Sequence, residues 1–247
     1  MIKKDLIELD VINNSLKNNG YVIIKNFLTE NTKNRFKEFV VAKISQLNKD
    51  RFSINENDLE NTVISEFINS SEFVKFCDNF EEKKRFDNLK FNSHYLINFT
   101  RKKKKTDEYF SFHYDAFINT IIIPININNE QSSNFSMGLE LIPNYRKLTH
   151  SMILNLFQKI LIQNKLFKFF SNTHLFKFFY KTIKIKLNFD EILIFNGFRT
   201  LHSHSISNTN TEKEKARLII HVYNPFINNK LDRTIFKNIQ KKREIKK

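Results

Sequence analysis

His113 and Asp115, in the run Phe112-His113-Tyr114-Asp115, are metal ligands of two kinds at positions i and i+2, which an extended segment presents on one face. Such a pair arises often by chance and gains meaning only if a third ligand arrives from a distant strand. Leu201-His202-Ser203-His204 supplies that candidate, directly after Ile192-Leu193-Ile194-Phe195-Asn196-Gly197, which reads as a buried strand ending in a glycine. His202 is the preferred third ligand. His204 is the alternative, because a side-chain period of two puts both histidines on one face. Two histidines and one carboxylate on one side of an ion leave three positions open, an arrangement suited to iron(II) that must hold a chelating co-substrate and dioxygen together. A 2-oxo acid chelating through one end needs a cation for its other carboxylate, and a guanidinium grips it in bidentate fashion. Arg217 is placed for this, at the head of Arg217-Leu218-Ile219-Ile220-His221-Val222-Tyr223. The competing reading is a strand-edge arginine with its head in water.

The surrounding segments must form a scaffold that brings these positions together. Gly20-Tyr21-Val22-Ile23-Ile24-Lys25-Asn26-Phe27-Leu28 reads as a strand ending in a turn, with Thr29 as the N-cap of a helix over about 30–48. A second helical pattern runs through Phe67, Phe73, Val74 and Phe80. From Phe91 onward the chain changes to short β-branched and aromatic runs separated by polar turns: 95–99, 109–112, 120–127, 139–142, 183–187, 191–195 and 218–223. Helices first and strands later predict a mainly β, α+β fold of the sandwich or barrel kind, with the helices packed on a sheet. One domain is expected over residues 1–227, followed by a basic tail, 228–247.

Two stretches break the strand pattern. Arg101-Lys102-Lys103-Lys104-Lys105 repels itself and predicts an exposed loop. Met152 to Lys186 carries seven lysines, no acidic residue and Leu-Phe-Lys-Phe-Phe twice. It predicts a helical insertion over about 150–182 that lies over the pocket with Phe inward and Lys outward. A membrane-surface or partner-binding amphipath is the other reading.

The net charge of +15 would ordinarily suggest a nucleic acid or an anionic surface. The lysine excess, however, accompanies abundant Asn, Ile and Phe with only three Gly, three Pro and no Trp, a bias that AT-rich coding produces by itself, so nucleic acid is not expected. Cys77 is the single cysteine, which excludes an intramolecular disulfide and a cysteine-based zinc cluster and predicts a small core residue in a reducing, cytoplasmic setting. No apolar run has the length of a signal peptide or a membrane span.

The ordered set His113, Asp115, Gly138-Leu139-Glu140-Leu141-Ile142-Pro143-Asn144, His202 and Arg217, together with the opening strand from Gly20 to Leu28, resembles the phytanoyl-CoA dioxygenase-like group of Fe(II)/2-oxoglutarate oxygenases. The resemblance covers residues 18 to 226. It departs from the family where Gly-Asp is often found before the distal strand, which here reads Phe189-Asp190-Glu191. The resemblance implies a double-stranded β-helix (jelly roll, cupin-like) with N-terminal helices on one sheet. It also implies iron(II) on His113, Asp115 and His202, with 2-oxoglutarate anchored by Arg217 and decarboxylated to succinate as dioxygen and a small organic substrate react. Retention of Asp115 points to hydroxylation rather than halogenation. Tyr95, Asn98 and Thr120 are candidates for the remaining hydrogen bonds to 2-oxoglutarate. A lipid-like molecule or a secondary metabolite would suit a Phe-rich pocket. The reading from another class is a jelly roll without turnover that uses the Phe/Lys segment as a ligand or partner surface.

Overall fold

The computed structural model describes residues 1–3, 8–86, 89–101, 112–128, 137–171, 173–204 and 214–226. The Arg/Lys loop beyond Arg101, the expected strand at 109–111 and the basic tail lie outside the described residues.

Hydrophobic alternation builds two antiparallel sheets. The larger contains β1 (Tyr21–Lys25), β2 (Arg51–Asn55), β3 (Ser93–Thr100), β4 (Asn119–Ile125), β7 (Glu191–Phe195) and β9 (Lys215–Val222), in the order β1-β7-β4-β9-β3-β2. The smaller contains β5 (Met137–Ile142), β6 (Ile183–Leu187) and β8 (Leu201–His204), in the order β6-β5-β8. β1 and β7 share a register in which Tyr21 lies opposite Phe195 and Lys25 opposite Glu191. Strand β4 is buried at every position, as a strand covered on both faces must be.

One face of the large sheet carries Ile97, Phe99, Ile121, Ile123, Leu218 and Ile220, which pack on the N-terminal helices in the main core. Those helices are α1 (Leu9–Asn19), α2 (Glu30–Leu47), α3 (Val63–Ile68) and α4 (Ser71–Asp78). Helix α2 starts at Thr29, whose hydroxyl accepts from Thr32 N, and buries Phe36, Val40 and Ile44 at spacings of four. The second helical pattern is two helices, α3 and α4, divided at Asn69 and Ser70, with Ser70 capping the latter. Phe67 contacts both Phe36 and Phe73, with ring centroids 5.3 and 4.8 Å apart, and so ties α2, α3 and α4 into one aromatic layer. Cys77 is fully buried in this core, as expected. Helix α1 and strand β2 were not foreseen: α1 is mostly polar and buries only Ile12 and Leu16.

The opposite face of the large sheet meets the small sheet. Ile122, Leu193 and Phe195 from the one pack with Leu139, Leu141, Ile185 and Leu187 from the other. Between β5 and β6 the chain forms the expected insertion as α5 (Met152–Gln163), α6 (Lys165–Ser171) and α7 (His174–Phe179). Its inward contacts are few: Ile162 and Phe176 pack with Phe112, Tyr114, Ile142 and Leu201. The expectation that its phenylalanines face inward is wrong for most of them, since Phe157, Phe169, Phe170, Phe178 and Phe179 are exposed. The Leu-Phe-Lys-Phe-Phe repeat falls on two short helices, and each can press only one face onto the body.

Candidate metal centre

The segment before β4 and strand β8 meet at the edge of the small sheet. His113 and His202 form an isolated antiparallel bridge in which each backbone N–H donates to the other's carbonyl at 3.0 Å. Asp115 N donates to Gly197 O at 3.1 Å, which fixes the second ligand against the turn between β7 and β8. As a result one nitrogen from each of His113 and His202 and one carboxylate oxygen of Asp115 all lie within 4.8 Å of one another. His202 Nε2 is 3.6 Å from Asp115 Oδ2, a separation that two ligands about 2.1 Å from one ion readily adopt. His202 Nδ1 lies 3.2 Å from Thr200 O. A proton on Nδ1 is thereby directed to that carbonyl and Nε2 keeps its lone pair for a metal. Among the described residues this is the one cluster of His, Cys, Asp or Glu able to hold an ion.

The carboxylate is held from behind. The Thr120 hydroxyl donates to Asp115 Oδ2 and lies 3.0 Å from His221 Nδ1. Burial alone would push the Asp115 carboxyl up, but His202, His221 and His113 around it, with the Thr120 hydroxyl, outweigh burial and hold the group well below the usual carboxylate range. It is therefore an anion at neutral pH, as a metal ligand must be. Gly197 makes this packing possible. A Cβ there would stand 2.5 Å from Thr120 Oγ1 and 3.0 Å from Asp115 Oδ2, so only glycine lets the turn pass so close to the ligand.

The turn that carries Gly197 is pinned by Asn196, which is fully buried. Its Nδ2 donates to Leu16 O at 2.9 Å and contacts Glu82 Oε1 and Asn144 Oδ1 at 3.3 Å, and its Oδ1 accepts from Asn119 Nδ2 at 3.2 Å. Arg199 adds a 2.6 Å ion pair to Glu82. Asn196→Ala strands several buried partners at once, and we expect it to destabilise the fold by about 2–3 kcal/mol, read as a shift in the denaturant midpoint.

Strand β9 extends the site along the sheet. The register pairs Arg217 with Asn98, Ile219 with Leu96 and His221 with His94, so Arg217, Asn98 and His221 share the face that carries Thr120. Burial, with Arg51 nearby, lowers the Arg217 guanidinium to about 10, so an incoming carboxylate would find a desolvated cation there. Tyr95 is one residue out of phase with this face. It packs in the helix-side core, where burial with Glu56 and Glu60 raises its phenol, on the face of β3 opposite to the one that carries Asn98. Thr120 is at the site, but its hydroxyl is engaged with Asp115 and His221. The backbone of His204 pairs with Leu139, and its side chain lies outside the described residues. His221, Asn196 and Gly197 were not foreseen as working parts. The signals were present, in a histidine four residues after Arg217 on one strand face and in the scarcity of glycine.

No family model matches the chain, and no curated protein matches it in sequence. Solved structures do match it in shape. A prolyl 4-hydroxylase from Phytophthora capsici superposes with a TM-score of 0.53 at 11% identity, over 92% of this chain and 66% of that one. The non-haem α-ketoglutarate-dependent epimerase SnoN from nogalamycin biosynthesis gives 0.52 at 10%, over 87% and 81%. A prolyl hydroxylase from Trichoplax adhaerens, in complex with a peptide fragment of the hypoxia-inducible-factor oxygen degradation domain, gives 0.50 at 14%, over 87% and 89%. The fold is a double-stranded β-helix. At these identities the likeness carries the architecture alone.

Proposed function

We propose that the protein is an Fe(II)- and 2-oxoglutarate-dependent dioxygenase that hydroxylates a small organic molecule while 2-oxoglutarate is decarboxylated to succinate. The observation that carries this reading is the convergence of His113, Asp115 and His202 at the edge of a face that also presents Arg217. When bound there, iron(II) would supply three further positions, for a chelating 2-oxo acid and dioxygen. His202 is oriented by Thr200 O, Asp115 by the Thr120 hydroxyl and by its own N–H donating to Gly197 O, and Arg217 would hold the far carboxylate of the co-substrate, with Asn98 beside it. SnoN is a protein solved with Fe3+ and α-ketoglutarate, which supports the same pairing of ion and co-substrate on this architecture. The order of His113, Asp115, His202 and Arg217 supports a place near the phytanoyl-CoA dioxygenase-like group, and the apolar, cationic insertion beside the site supports an amphipathic or lipid-like substrate.

Anaerobic addition of Fe(II) and 2-oxoglutarate to the folded protein is expected to produce a weak visible charge-transfer band. Its absence would overturn the enzyme reading and leave a jelly roll that only binds. Arg217→Met is expected to weaken 2-oxoglutarate by about 10–100-fold, the value of losing charge-assisted hydrogen bonds. Iron affinity measured without 2-oxoglutarate should stay unchanged; a parallel loss of iron would place Arg217 in a structural role.

A further inference from the structure

The insertion is amphipathic in the wrong sense for a helix that serves only to complete a core. On α5 the apolar residues Ile153, Leu154, Phe157, Ile160 and Leu161 recur at i, i+1, i+4, i+7 and i+8, the stripe that normally turns inward. Here every one of them is exposed, Ile153 at 79%. The face turned toward the body holds the buried Asn155 and Ile162, and Gln158, which accepts from Arg146 Nη1 at 2.8 Å. That arginine is itself fixed, donating to Phe198 O at 2.6 Å with its guanidinium 4.1 and 4.3 Å from the ring centres of Tyr114 and Phe198. The outward orientation of the stripe is therefore held by the Gln158–Arg146 hydrogen bond and by the burial of Ile162 and Asn155 on the opposite side of the helix.

Helices α6 and α7 continue the pattern, with Leu166 exposed at 83% and Phe169 and Phe178 at 79%. Of the eighteen large hydrophobic side chains exposed among the described residues, thirteen lie between Ile153 and Ile183. An exposed apolar patch of this kind marks a contact surface. Its charge narrows the partner: Met152 to Lys186 holds seven lysines and no Asp or Glu. In a twofold contact with a second copy this acid-free segment would face itself, and the exposed Lys181, Lys184 and Lys186 would find no acidic counterpart in it. No described helix is long and apolar enough to cross a membrane, and α5, with 12 residues, is well short of the ~20 that a span needs. Short helices with protruding Phe, Leu and Ile, flanked by lysine alone, match a surface that lies in the headgroup layer of an anionic bilayer.

We propose that the α5–α7 insertion docks the protein on anionic lipid membranes, with its exposed apolar side chains inserted at the interface and its lysines on the headgroups. This inference does not depend on the metal site. Co-sedimentation of the full chain with phosphatidylcholine vesicles, and with vesicles containing phosphatidylserine as well, tests it. Binding to the phosphatidylserine vesicles is expected to be about tenfold tighter or more and to weaken with salt. The variant Leu166→Ser/Phe169→Ser/Phe178→Ser should lose binding to both by about tenfold or more while melting like the parent, because all three side chains are exposed. Lys181→Glu/Lys184→Glu, also at exposed positions, should abolish the preference for phosphatidylserine and serves as the readout if the triple variant does not fold. Failure of the parent protein to bind either vesicle would overturn the proposal. So would binding unchanged in folded variants, or a parent that forms a stable dimer and ignores vesicles.

Discussion

Asp115→Ala is expected to lower affinity for Fe(II), or for Mn(II) as a redox-stable substitute, by about a hundredfold or more, measured by anaerobic calorimetric titration of the folded protein. The expectation rests on geometry and charge together. Asp115 is the one carboxylate in the cluster and is held as an anion by three surrounding histidines and the Thr120 hydroxyl. Loss of a residue that merely orients a ligand costs about 10–100-fold in metal affinity, so removal of the ligand itself belongs at or beyond the upper end of that range. His202→Ala should behave alike, because His202 Nε2 stands 3.6 Å from the same carboxylate oxygen and no main-chain group replaces it. Asp115→Asn separates the roles: it keeps the shape while removing the charge, and should still fold but bind metal poorly. If either alanine variant titrated like the parent, the ion would have to be held elsewhere.

Gly197→Ala should produce the second large effect, although glycine has no ligand atom. The added methyl would stand 2.5 Å from Thr120 Oγ1 and 3.0 and 3.1 Å from Asp115 Oδ2 and Cβ. Neither neighbour can easily give way. Thr120 lies within a strand that pairs on both sides, opposite Phe195 and His221, and Asp115 is fixed by its N–H on Gly197 O. The turn cannot retreat either, because Asn196 ties it to Leu16, Asn119 and Asn144. We expect a loss of about 10–100-fold in metal affinity with a smaller cost in stability, because the strain is relieved most cheaply by displacing the carboxylate from its ligating position. Metal titration beside a thermal melt of the same variant checks this. A variant that binds metal normally would show that the turn moves more freely than its hydrogen bonds indicate.

The site was more legible than the packing around it. His113 with Asp115 is a local pair, and the strand that delivers His202 announces itself by an apolar run and a glycine. Face relations within one strand, such as Arg217 and His221 at i and i+4, also follow from the period of two. Tyr95 and Asn98 fall on opposite faces of β3, because on an alternating strand an odd shift in position moves a side chain to the other face, and only Asn98 shares the face of Arg217. Local sequence did not show which face of β3 looked toward the helices, since both carry apolar residues.

The insertion shows the other limit. Its stripe and its lysines were visible as an amphipath, and from pattern alone a core-facing lid was the ordinary solution. Only the placement of Asn155, Gln158 and Ile162 against the body turned the stripe outward: Arg146, from a loop before the insertion, anchors Gln158, and Ile162 alone of the apolar α5 residues enters the buried cluster with Phe112, Tyr114, Ile142 and Leu201.

Residue type and strand period alone mark His113, Asp115 and His202 as a metal-ligand set. The tertiary structure decided what sequence period cannot encode. The Asn196 network and Gly197 set how closely a turn approaches the carboxylate, Thr120 on β4 links the nearby Asp115 to His221 on β9, and the insertion presents its apolar face to solvent. Each of these depends on contacts between residues far apart in the chain, where distance and direction are set by packing of the whole sheet rather than by any local propensity.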